Sequence, residues 1–442
     1  MSRLLGILVA ILILSLMLFL HELGHFLMGR KLGFTVVEFS IFMGPRLFSF
    51  EKNGIRYSLK AIPLGASVEF SGEYPEENED YVLKKGDFYE RPRWARALTL
   101  LAGPLMNILT ALIVFIILFS VTGFAKTRIA DIDSGSLAQD AGMKAGEQIL
   151  SIDGYKVRTD LDFGIGQMVL DPTQAKEAGS NYIILTQDPQ TGEEKSYEIK
   201  PRMEDSYVFG IVMDFSDNKN IISTIDKEIN PNAGAFVPGD EILKVDGKEV
   251  NPTNLIPTLR ASSSDSERTF TINRGGKTKD IQVKPSAVPG PVPLGVSLTL
   301  VQKPGFSVVP YTFQYMWSYL KGTGKVLGQV FQGRARAQDT LTGPVGIVSV
   351  FSGVVTSEFN VGLKLIQIFN LFAVISLALG ATNLLPIPPL DGGQLLLLII
   401  ESIRRKRLSL KAQNIVTMIG VVFVLGLAAL ALGFDILRIF KK

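Results

Sequence analysis

The sequence contains no cysteine and only two histidines, His21 and His25. The lack of cysteine excludes disulfide bonds and thiolate metal ligands. The formal net charge is only +3 over 442 residues, so no basic surface suited to nucleic acid is indicated. We therefore expect no nucleic-acid partner, and a metal site in this chain would have to combine oxygen ligands with these two imidazoles.

Long stretches without charge are what the sequence has in abundance. The chain is 47% hydrophobic and only 20% charged, with a mean hydropathy of +0.27, which is too apolar for an ordinary soluble enzyme of this length. Four stretches contain no charged side chain: 4–20, 97–125, 365–390 and 412–434. Each reaches or approaches the roughly 20 apolar residues that a helix needs to cross a bilayer. The pattern predicts a multi-pass α-helical protein with about four transmembrane helices in a lipid bilayer.

The first apolar stretch has an alternative interpretation as a cleaved signal peptide, because Arg3 precedes it. However, no small-x-small cleavage site follows the stretch. The sequence HELGH follows instead, at residues 21–25. A discarded segment has no use for such a motif, so we interpret the stretch as a membrane span.

About 240 residues of mixed composition separate the second and third apolar stretches, and they contain an internal repeat. The sequence AGMKAGEQILSIDGYKV, from Ala141, returns as AGAFVPGDEILKVDGKEV, from Ala233. Each copy predicts a strand, a tight Asp-Gly turn and a second strand. The pattern is similar to the PDZ domains of bacterial envelope proteases, which bind peptides by adding a strand to a sheet edge. Two small β domains that serve only as spacers are the alternative.

The orientation in the membrane is predicted by lysine and arginine near the span ends. These residues flank the segment between the first two spans and fill the loop after the third, at positions 30, 31, 91, 93, 96 and 404–407. Both segments are therefore expected in the cytoplasm. The tandem domains and both termini would then lie outside, and HELGH and Asp391 would both lie toward the cytoplasmic side.

The HELGH sequence carries the chemistry. On a helix, His21 and His25 lie on the same face, where two imidazoles can bind one ion. Glu22 lies beside the first imidazole and can act on a metal-bound water without binding the metal itself. A catalytic zinc takes three protein ligands and a water, so one ligand is missing. The alternative is a chance match in which the two histidines lie at a wetted interface.

The missing ligand must be a carboxylate, because the chain has no other histidine and no cysteine. Glu38 and Glu51 are formal candidates, although they follow HELGH in a polar region interrupted by glycine. Asp391 is favoured, since a carboxylate within NLLPIPPLDGGQLLLLII is unfavourable unless it is paired, protonated or bound to a metal. A helix cap or a turn residue before Gly392 is the alternative for Asp391.

In this order, the motifs resemble those of the site-2 protease family of intramembrane zinc metalloproteases, specifically the regulator-of-sigma-E protease type with two PDZ domains. The resemblance covers almost the whole chain. HELGH is similar to the family's HExxH, which implies His21 and His25 as Zn²⁺ ligands and Glu22 as the general base. NLLPIPPLDGG is similar to the family's N-x-x-P-x-P-x-L-D-G, which implies Asp391 as the third ligand.

The resemblance also implies a set of substrate-binding residues. They are Asn383, Pro386 and Pro388 in NLLPIPPLDGG, Asn107 in AGPLMN, which is similar to G-P-x-x-N, and Gly65 in AIPLGASV, which looks like the family's membrane-associated β loop. Where relatives often read L-G-G-Y, this chain reads LGAS at 64–67, which puts the side-chain contacts of that loop in doubt. For Asn107, the alternative is a polar residue that joins two spans.

The expected organisation follows from these assignments. An N-terminal membrane domain (1–125) precedes PDZ-like domains at 126–215 and 216–303, a linker region (304–360) and a C-terminal membrane domain (361–442). Within the linker region, residues 306–339 are either an amphipathic helix on the outer membrane face or an unstructured connection. LTGPVGI, from Leu341, is similar to the family motif that follows the second PDZ domain.

The implied function is intramembrane proteolysis in the bacterial cytoplasmic membrane. Substrates would be single-pass transmembrane proteins, such as an anti-sigma factor, or remnant signal peptides, and the PDZ domains would control their entry. A non-catalytic zinc-containing PDZ scaffold is an alternative, but a structural zinc site would not need Glu22. A metal transporter would place ionisable residues along several spans, whereas here they collect at one depth.

Overall fold

The structure is a computed structural model that describes residues 2–73, 84–168, 181–214, 219–252, 254–260, 265–333, 338, 342–357 and 361–440. Its helices are α1 (Ser2–Lys31), α2 (Arg93–Thr122), α3 (Leu137–Asp140), α4 (Asp160–Gln167), α5 (Leu255–Arg260), α6 (Val308–Phe331), α7 (Pro344–Thr356), α8 (Val361–Asn383), α9 (Asp391–Arg404) and α10 (Leu410–Phe440). Leu341, with which the LTGPVGI motif begins, lies outside the described residues.

The strands are β1 (Val36–Lys52), β2 (Ile55–Phe70), β3 (Phe124–Ile132), β4 (Gln148–Ile152), β5 (Tyr155–Lys156), β6 (Tyr182–Gln187), β7 (Glu194–Ile199), β8 (Met203–Val208), β9 (Ile211–Asp214), β10 (Ile221–Ile225), β11 (Glu241–Val245), β12 (Lys248–Glu249), β13 (Arg268–Arg274), β14 (Lys277–Val283), β15 (Ser286–Pro291) and β16 (Val296–Val301). The chain divides into two compact units, residues 125–299 and the remainder.

Four helices of the described chain are long and apolar enough to cross a membrane: Leu4–Lys31, Arg93–Thr122, Val361–Asn383 and Lys411–Arg438. They coincide with the four apolar stretches of the sequence. α2 packs against α1 and α8, with Phe115 and Leu377 in the shared core. Side chains such as Leu109 and Leu427 remain exposed on these helices, as expected for surfaces that face lipid rather than water.

The third apolar stretch does not form one continuous helix. α8 ends at Asn383, seven residues without helical structure follow at 384–390, and α9 starts at Asp391. Pro386, Pro388 and Pro389 account for the break, because proline lacks a backbone N–H and its ring clashes with the preceding helical turn. Asp391 is therefore not part of α8 but begins a separate helix directly after the proline segment.

The segment between α1 and α2 forms a β sheet from two bent strands. Phe39 in β1 pairs with both Tyr57 and Val68 of β2, while residues 46–52 of β1 pair with 55–60. The resulting order is 46–52, 55–60, 36–41 and 66–70. Residues 66–70 therefore lie at one edge, and we call them the edge strand. A cluster of buried aromatic side chains, including Phe26, Phe34, Phe39 and Phe70, packs this sheet against α1.

The region 306–339 contains a helix, α6, over Val308–Phe331. Tyr311 and Met316 on α6 are buried in the core that includes Phe115, whereas Phe313 and Trp317 are exposed. The helix therefore has one packed face and one open face, as the amphipathic interpretation predicted. Its position on the outer membrane face stays a prediction, and residues 334–337 and 339 lie outside the described part of the chain.

In its described residues, the unit at 125–299 contains two six-stranded sheets with separate hydrophobic cores and a two-stranded sheet in which β8 pairs with β15. The strand orders are β16-β3-β4-β6-β7, with β5 on β4, and β14-β13-β11-β10-β9, with β12 on β11. Asp153 and Asp246, which are 93 residues apart, both have positive φ and are each followed by a glycine with positive φ. This is the geometry of a type I′ hairpin, so the predicted strand, turn and strand are confirmed in both copies of the repeat.

Two strands depart from the expected ranges of the two small domains. β16 follows the second sheet in the chain but pairs with β3 of the first sheet, and Val292 and Leu294 lie in the first core. Conversely, β9 precedes the second copy of the repeat and completes the second sheet. The range 216–303 therefore does not coincide with one sheet, because the chain returns to the first sheet at its end.

A buried carboxylate joins α10 to the start of α7. Asp435 accepts hydrogen bonds from the backbone N–H groups of Gly343 (3.1 Å) and Gly346 (2.7 Å). The first N–H groups of a helix lack partners within the helix and favour a negative charge. This contact gives the GPVGI segment a structural role, since a Cβ atom at Gly343 or Gly346 would collide with Asp435.

Candidate metal centre

The three predicted ligand residues meet at one point. The Nε2 atoms of His21 and His25 are 3.2 Å apart. The Asp391 carboxylate lies 3.1 Å from His21 Nε2 through Oδ2 and 3.5 Å from His25 Nε2 through Oδ1. Both imidazoles are buried. Among the described residues, this is the group of histidine and carboxylate side chains whose ligand atoms lie close enough to hold a metal ion.

The spacing of these atoms suits a tetrahedral zinc ion. With bonds of about 2.0 to 2.1 Å, two ligands of a tetrahedral ion lie about 3.3 to 3.4 Å apart. The three separations observed, 3.1, 3.2 and 3.5 Å, bracket this value. The donor set of two imidazoles and one carboxylate is one that zinc accepts in hydrolases, with the fourth position left to water.

The second ring nitrogen of His25 is fixed by the backbone. His25 Nδ1 lies 2.8 Å from the carbonyl oxygen of Thr99 on α2. A carbonyl only accepts hydrogen bonds, so Nδ1 carries a proton, and Nε2 is the nitrogen that can offer a lone pair to a metal. Such an outer hydrogen bond also holds the plane of the imidazole.

The second ring nitrogen of His21 faces two amides. Asn107 Nδ2 and Asn383 Nδ2 lie 3.3 Å and 3.4 Å from His21 Nδ1. Asn107 is fully buried, and its Oδ1 has no hydrogen-bond partner among the described residues. If His21 binds metal through Nε2, its Nδ1–H needs an acceptor, and the Asn107 amide supplies one when its oxygen faces the ring. Asn107 thus contacts a predicted metal ligand, and its contact with the substrate stays a prediction.

Two glycines allow α1 and α2 to approach closely at the centre. A Cβ atom at Gly24 would lie 2.3 Å from the Ala102 carbonyl oxygen, and one at Gly103 would lie 2.2 Å from His25 Nε2. Any side chain at either position would therefore push the helices or the imidazole away. Gly24 belongs to HELGH and Gly103 belongs to AGPLMN. The close approach of the two helices at these glycines brings the Thr99 carbonyl within hydrogen-bond distance of His25.

The side chain of Glu22 extends from α1 to the β sheet. Its Oε2 accepts a hydrogen bond of 3.1 Å from the backbone N–H of Val68, in the edge strand. Gly65 lies just before this strand, with φ of 77° and little exposure. The predicted base and the predicted β loop are therefore in direct contact.

The proline segment packs against the start of α9. Gly393 touches the backbone of Pro388, where a Cβ atom would lie 2.4 Å from the proline nitrogen. Pro386 is exposed and Pro388 is half-buried. The structure therefore holds these prolines directly before Asp391, on the loop that carries the carboxylate to the histidines, and they make no hydrogen bond to an imidazole among the described residues.

The two other carboxylates considered as ligands lie elsewhere in the sheet. Glu38 accepts hydrogen bonds from Arg46 (2.9 and 3.1 Å) and Ser58 (2.5 Å). The hydrogen bonds from Arg46 lower the pKa of Glu38 to about 2. Glu51 is exposed and pairs with Arg56 at 3.4 Å. Glu38 therefore stabilises the sheet, and neither residue belongs to the metal group.

Several residues at the centre were missed by sequence reasoning. Thr99 and Val68 act through backbone atoms, which leave no signal in the residue type. Glu73, whose carboxylate accepts a hydrogen bond of 3.3 Å from Phe70 N–H, opens the acidic sequence EYPEENED and looks like part of a solvated loop. The glycine of AGPLMN was the available signal for Gly103, since the motif had been noted for Asn107 alone.

Comparisons with known proteins agree with this geometry. The profile of peptidase family M50 matches residues 9–427. The chain is 27% identical over 448 residues to "Zinc metalloprotease RasP" of Geobacillus kaustophilus, covering 97% of each protein. It is 25% identical over 452 residues to "Regulator of sigma-W protease RasP" of Bacillus subtilis, covering 97% of this chain and 98% of the relative. The chain belongs to peptidase family M50 and is a membrane-integral zinc metalloprotease.

Proposed function

We propose that this protein is an intramembrane endopeptidase that hydrolyses peptide bonds within or near the transmembrane segments of single-pass membrane proteins. The observation that carries the proposal is the convergence of His21, His25 and Asp391 beside an apolar helix long enough to span a bilayer. A protease that cuts soluble substrates would not need its metal centre on a helix that can span a membrane. The name of the Bacillus subtilis relative favours regulatory membrane proteins, such as an anti-sigma factor, and remnant signal peptides are the other substrate class.

The roles of the residues follow from their positions. His21, His25 and Asp391 bind the ion, while Thr99 and Asn107 hold the two imidazoles in the orientation that ligation requires. Zinc held by these residues would polarise the scissile carbonyl and would lower the pKa of its water to about 7. Glu22 takes a proton from the attacking water as the new C–O bond forms. It then gives that proton to the amine as the C–N bond breaks.

The β sheet offers a place for the unwound substrate. A transmembrane helix has its carbonyls hydrogen-bonded already, so it must open locally before hydrolysis, and unpaired backbone groups in lipid cost several kcal/mol. The edge strand lies beside Glu22 and can pair with an extended peptide. Gly65, which lies next to this strand, and Asn107, Asn383, Pro386 and Pro388 are the residues that we propose to contact the substrate. We expect substrates to carry helix-weakening residues near the cut.

The two small β domains control admission. β9 is an edge strand, and a cavity of about 380 Å³ lies beside it, lined by residues that include Phe209, Ile211, Ile229 and Leu259. An edge strand with an adjacent apolar cavity suits an extended peptide with an apolar side chain. The positive-inside pattern supports a bacterial cytoplasmic membrane location, with these domains outside and the metal centre toward the cytoplasm.

The decisive experiment compares the purified protein with its Glu22→Gln variant on a model single-pass substrate, with zinc measured in both. We expect the native protein to cut and the variant to keep its zinc but not cut, because glutamine cannot accept the proton. A Glu51→Gln variant, changed at an exposed carboxylate of the same sheet, should cut normally. If native protein and variant bind zinc equally and neither cuts a substrate trimmed of its external domain, the proposal fails.

A further inference from the structure

The edge strand presents two N–H groups that are both already occupied. Val68 N–H donates to Glu22 Oε2 at 3.1 Å, and Phe70 N–H donates to Glu73 Oε2 at 3.3 Å. Residues two apart in a strand direct their N–H groups to the same side. The two carboxylates therefore cover the row of donors along which an added peptide strand would pair.

An added strand needs these same donors. Strand addition places carbonyl oxygens of the incoming peptide opposite the free N–H groups of an edge. At this edge, each incoming carbonyl must replace a carboxylate that comes from outside the sheet. Replacement at Val68 would free Glu22 for its work on water, while replacement at Phe70 would displace a residue with no role in the chemistry.

We propose that Glu73 is a cap on the substrate-docking edge, and that an extended substrate docks only by displacing the Glu73 carboxylate from Phe70 N–H. This inference rests on the proposed function, in which substrates pair with the edge strand. The cap discriminates between substrates. Carbonyl groups held inside a stable helix cannot compete for Phe70 N–H, whereas those of an unwound segment can.

The structure provides a place for the displaced carboxylate. Glu73 lines a cavity of about 370 Å³, together with Arg96, Gln394, Glu401 and Gln413 among others. Arg96 is buried and pairs with Glu401 at 3.4 Å, and its Nε has no hydrogen-bond partner among the described residues. Arg96 therefore brings a positive charge to the lining of the cavity, which favours a second carboxylate there.

The present position of Glu73 is also a poorly solvated one. Burial raises the pKa of Glu73 to about 7, because the charged carboxylate has lost water there. A single backbone hydrogen bond, from Phe70, offsets this only in part. A substrate carbonyl can take the place of this one hydrogen bond at Phe70 N–H, and the cavity beside Arg96 offers the carboxylate another position.

Removal of the cap should change substrate binding more than chemistry. For Glu73→Ala we expect a KM that is roughly 10-fold lower, with kcat within about twofold of the native value. The decrease in KM should be greater for a substrate with a polyleucine segment than for one with glycine and proline near the cut. Glu73→Gln keeps an acceptor oxygen and should stay close to the native protein, and Glu51→Ala, at an exposed carboxylate of the same sheet, should match it.

A second measurement does not depend on cleavage. Because the chain has no cysteine, Glu69→Cys places a single thiol at an exposed position of the edge strand. Disulfide cross-linking to a single-pass substrate with a cysteine near its expected cut site then reports docking. We expect Glu73→Ala, combined with this change, to raise the cross-linking yield severalfold over Glu69→Cys alone.

The two measurements separate the inference from the function on which it rests. If the native protein cuts but Glu73→Ala alters neither KM nor the cross-linking yield, the cap is disproved and the protease function stands. If cross-linking rises in Glu73→Ala but no variant cuts, the cap stands and the proposed function fails. A raised KM in Glu73→Ala would also overturn the cap, since Glu73 would then assist binding.

Discussion

Asp391 and Asp435 are both aspartates next to apolar sequence, yet their surroundings differ. Asp391 faces the Nε2 atoms of His21 and His25. The Nδ1 atoms of these two histidines contact the Asn107 amide and the Thr99 carbonyl, respectively. Asp435 faces two backbone N–H groups at the start of α7. Imidazoles that are protonated at Nδ1 alone have lone pairs at Nε2 and cannot donate to the carboxylate, so in that state the Asp391 group suits a cation. Backbone N–H groups donate directly to Asp435, and Arg438 adds an ion pair at 3.5 Å, so Asp435 needs no metal ion.

The difference shows what identifies a metal ligand in a membrane protein. An acidic residue in apolar surroundings must be compensated, but either a metal ion or a helix terminus can provide the compensation. The atoms that face the carboxylate decide between the two. Asp391 therefore suits the role of a metal ligand, whereas Asp435 stabilises the packing of α10 against the start of α7.

The largest expected effect is on zinc content. Asp391→Ala should lower zinc affinity by more than roughly 100-fold, the upper value for the loss of a partner outside the ligand set, and should abolish cleavage. Asp435→Ala should leave the zinc content per folded molecule unchanged. Metal analysis of both purified variants checks the comparison, and equal zinc in both would remove the distinction between the two aspartates.

An intermediate effect on zinc affinity or kcat is expected at Asn107, which contacts the proposed ligand His21. Asn107→Ala should reduce zinc affinity or kcat by about 10- to 100-fold, because the Nδ1–H of His21 loses its buried acceptor. Asn383→Ala should have a smaller effect, since Asn383 is only half-buried at the end of α8. Competition with a zinc chelator measures the affinities. An unchanged affinity and an unchanged kcat in Asn107→Ala would show that Asn107 only joins α2 to its neighbours.

The smallest effect on activity is expected from substitution of Asp435. Asp435→Ala should destabilise the protein by about 1.5 to 3 kcal/mol, the range for a hydrogen bond to a charged group, because the N–H groups of Gly343 and Gly346 lose their acceptor. Thermal unfolding in detergent measures this change. Cleavage by the protein that remains folded should stay within about twofold, and a loss as large as that of Asp391→Ala would contradict the structural role.

Much of the metal centre was predictable because its signals are local. The spacing of His21 and His25 requires only a helix, and the absence of other strong ligands left a carboxylate as the third. The break in the third apolar stretch was signalled by Pro386 and Pro388, although the start of a new helix at Asp391 was not expected. The Asp-Gly turns were predictable for the same reason, since φ values above zero suit these residues.

Other features had no signal that a sequence can carry. Whether β16 pairs with β3 depends on which sheet has a free edge after the chain has folded, and residue type does not record this. The partners of Glu22 and Glu73 are backbone N–H groups, which every residue except proline possesses.

The sequence by itself determined the apolar helices, the residue types that can bind zinc and the repeated hairpins, because periodicity, composition and turn preference act over a few neighbouring residues. Only the tertiary structure decided which carboxylate meets the histidines, which atoms orient them and which groups cover the edge strand. These contacts join residues that are tens to hundreds of positions apart, and their geometry follows from how the helices and the sheet pack.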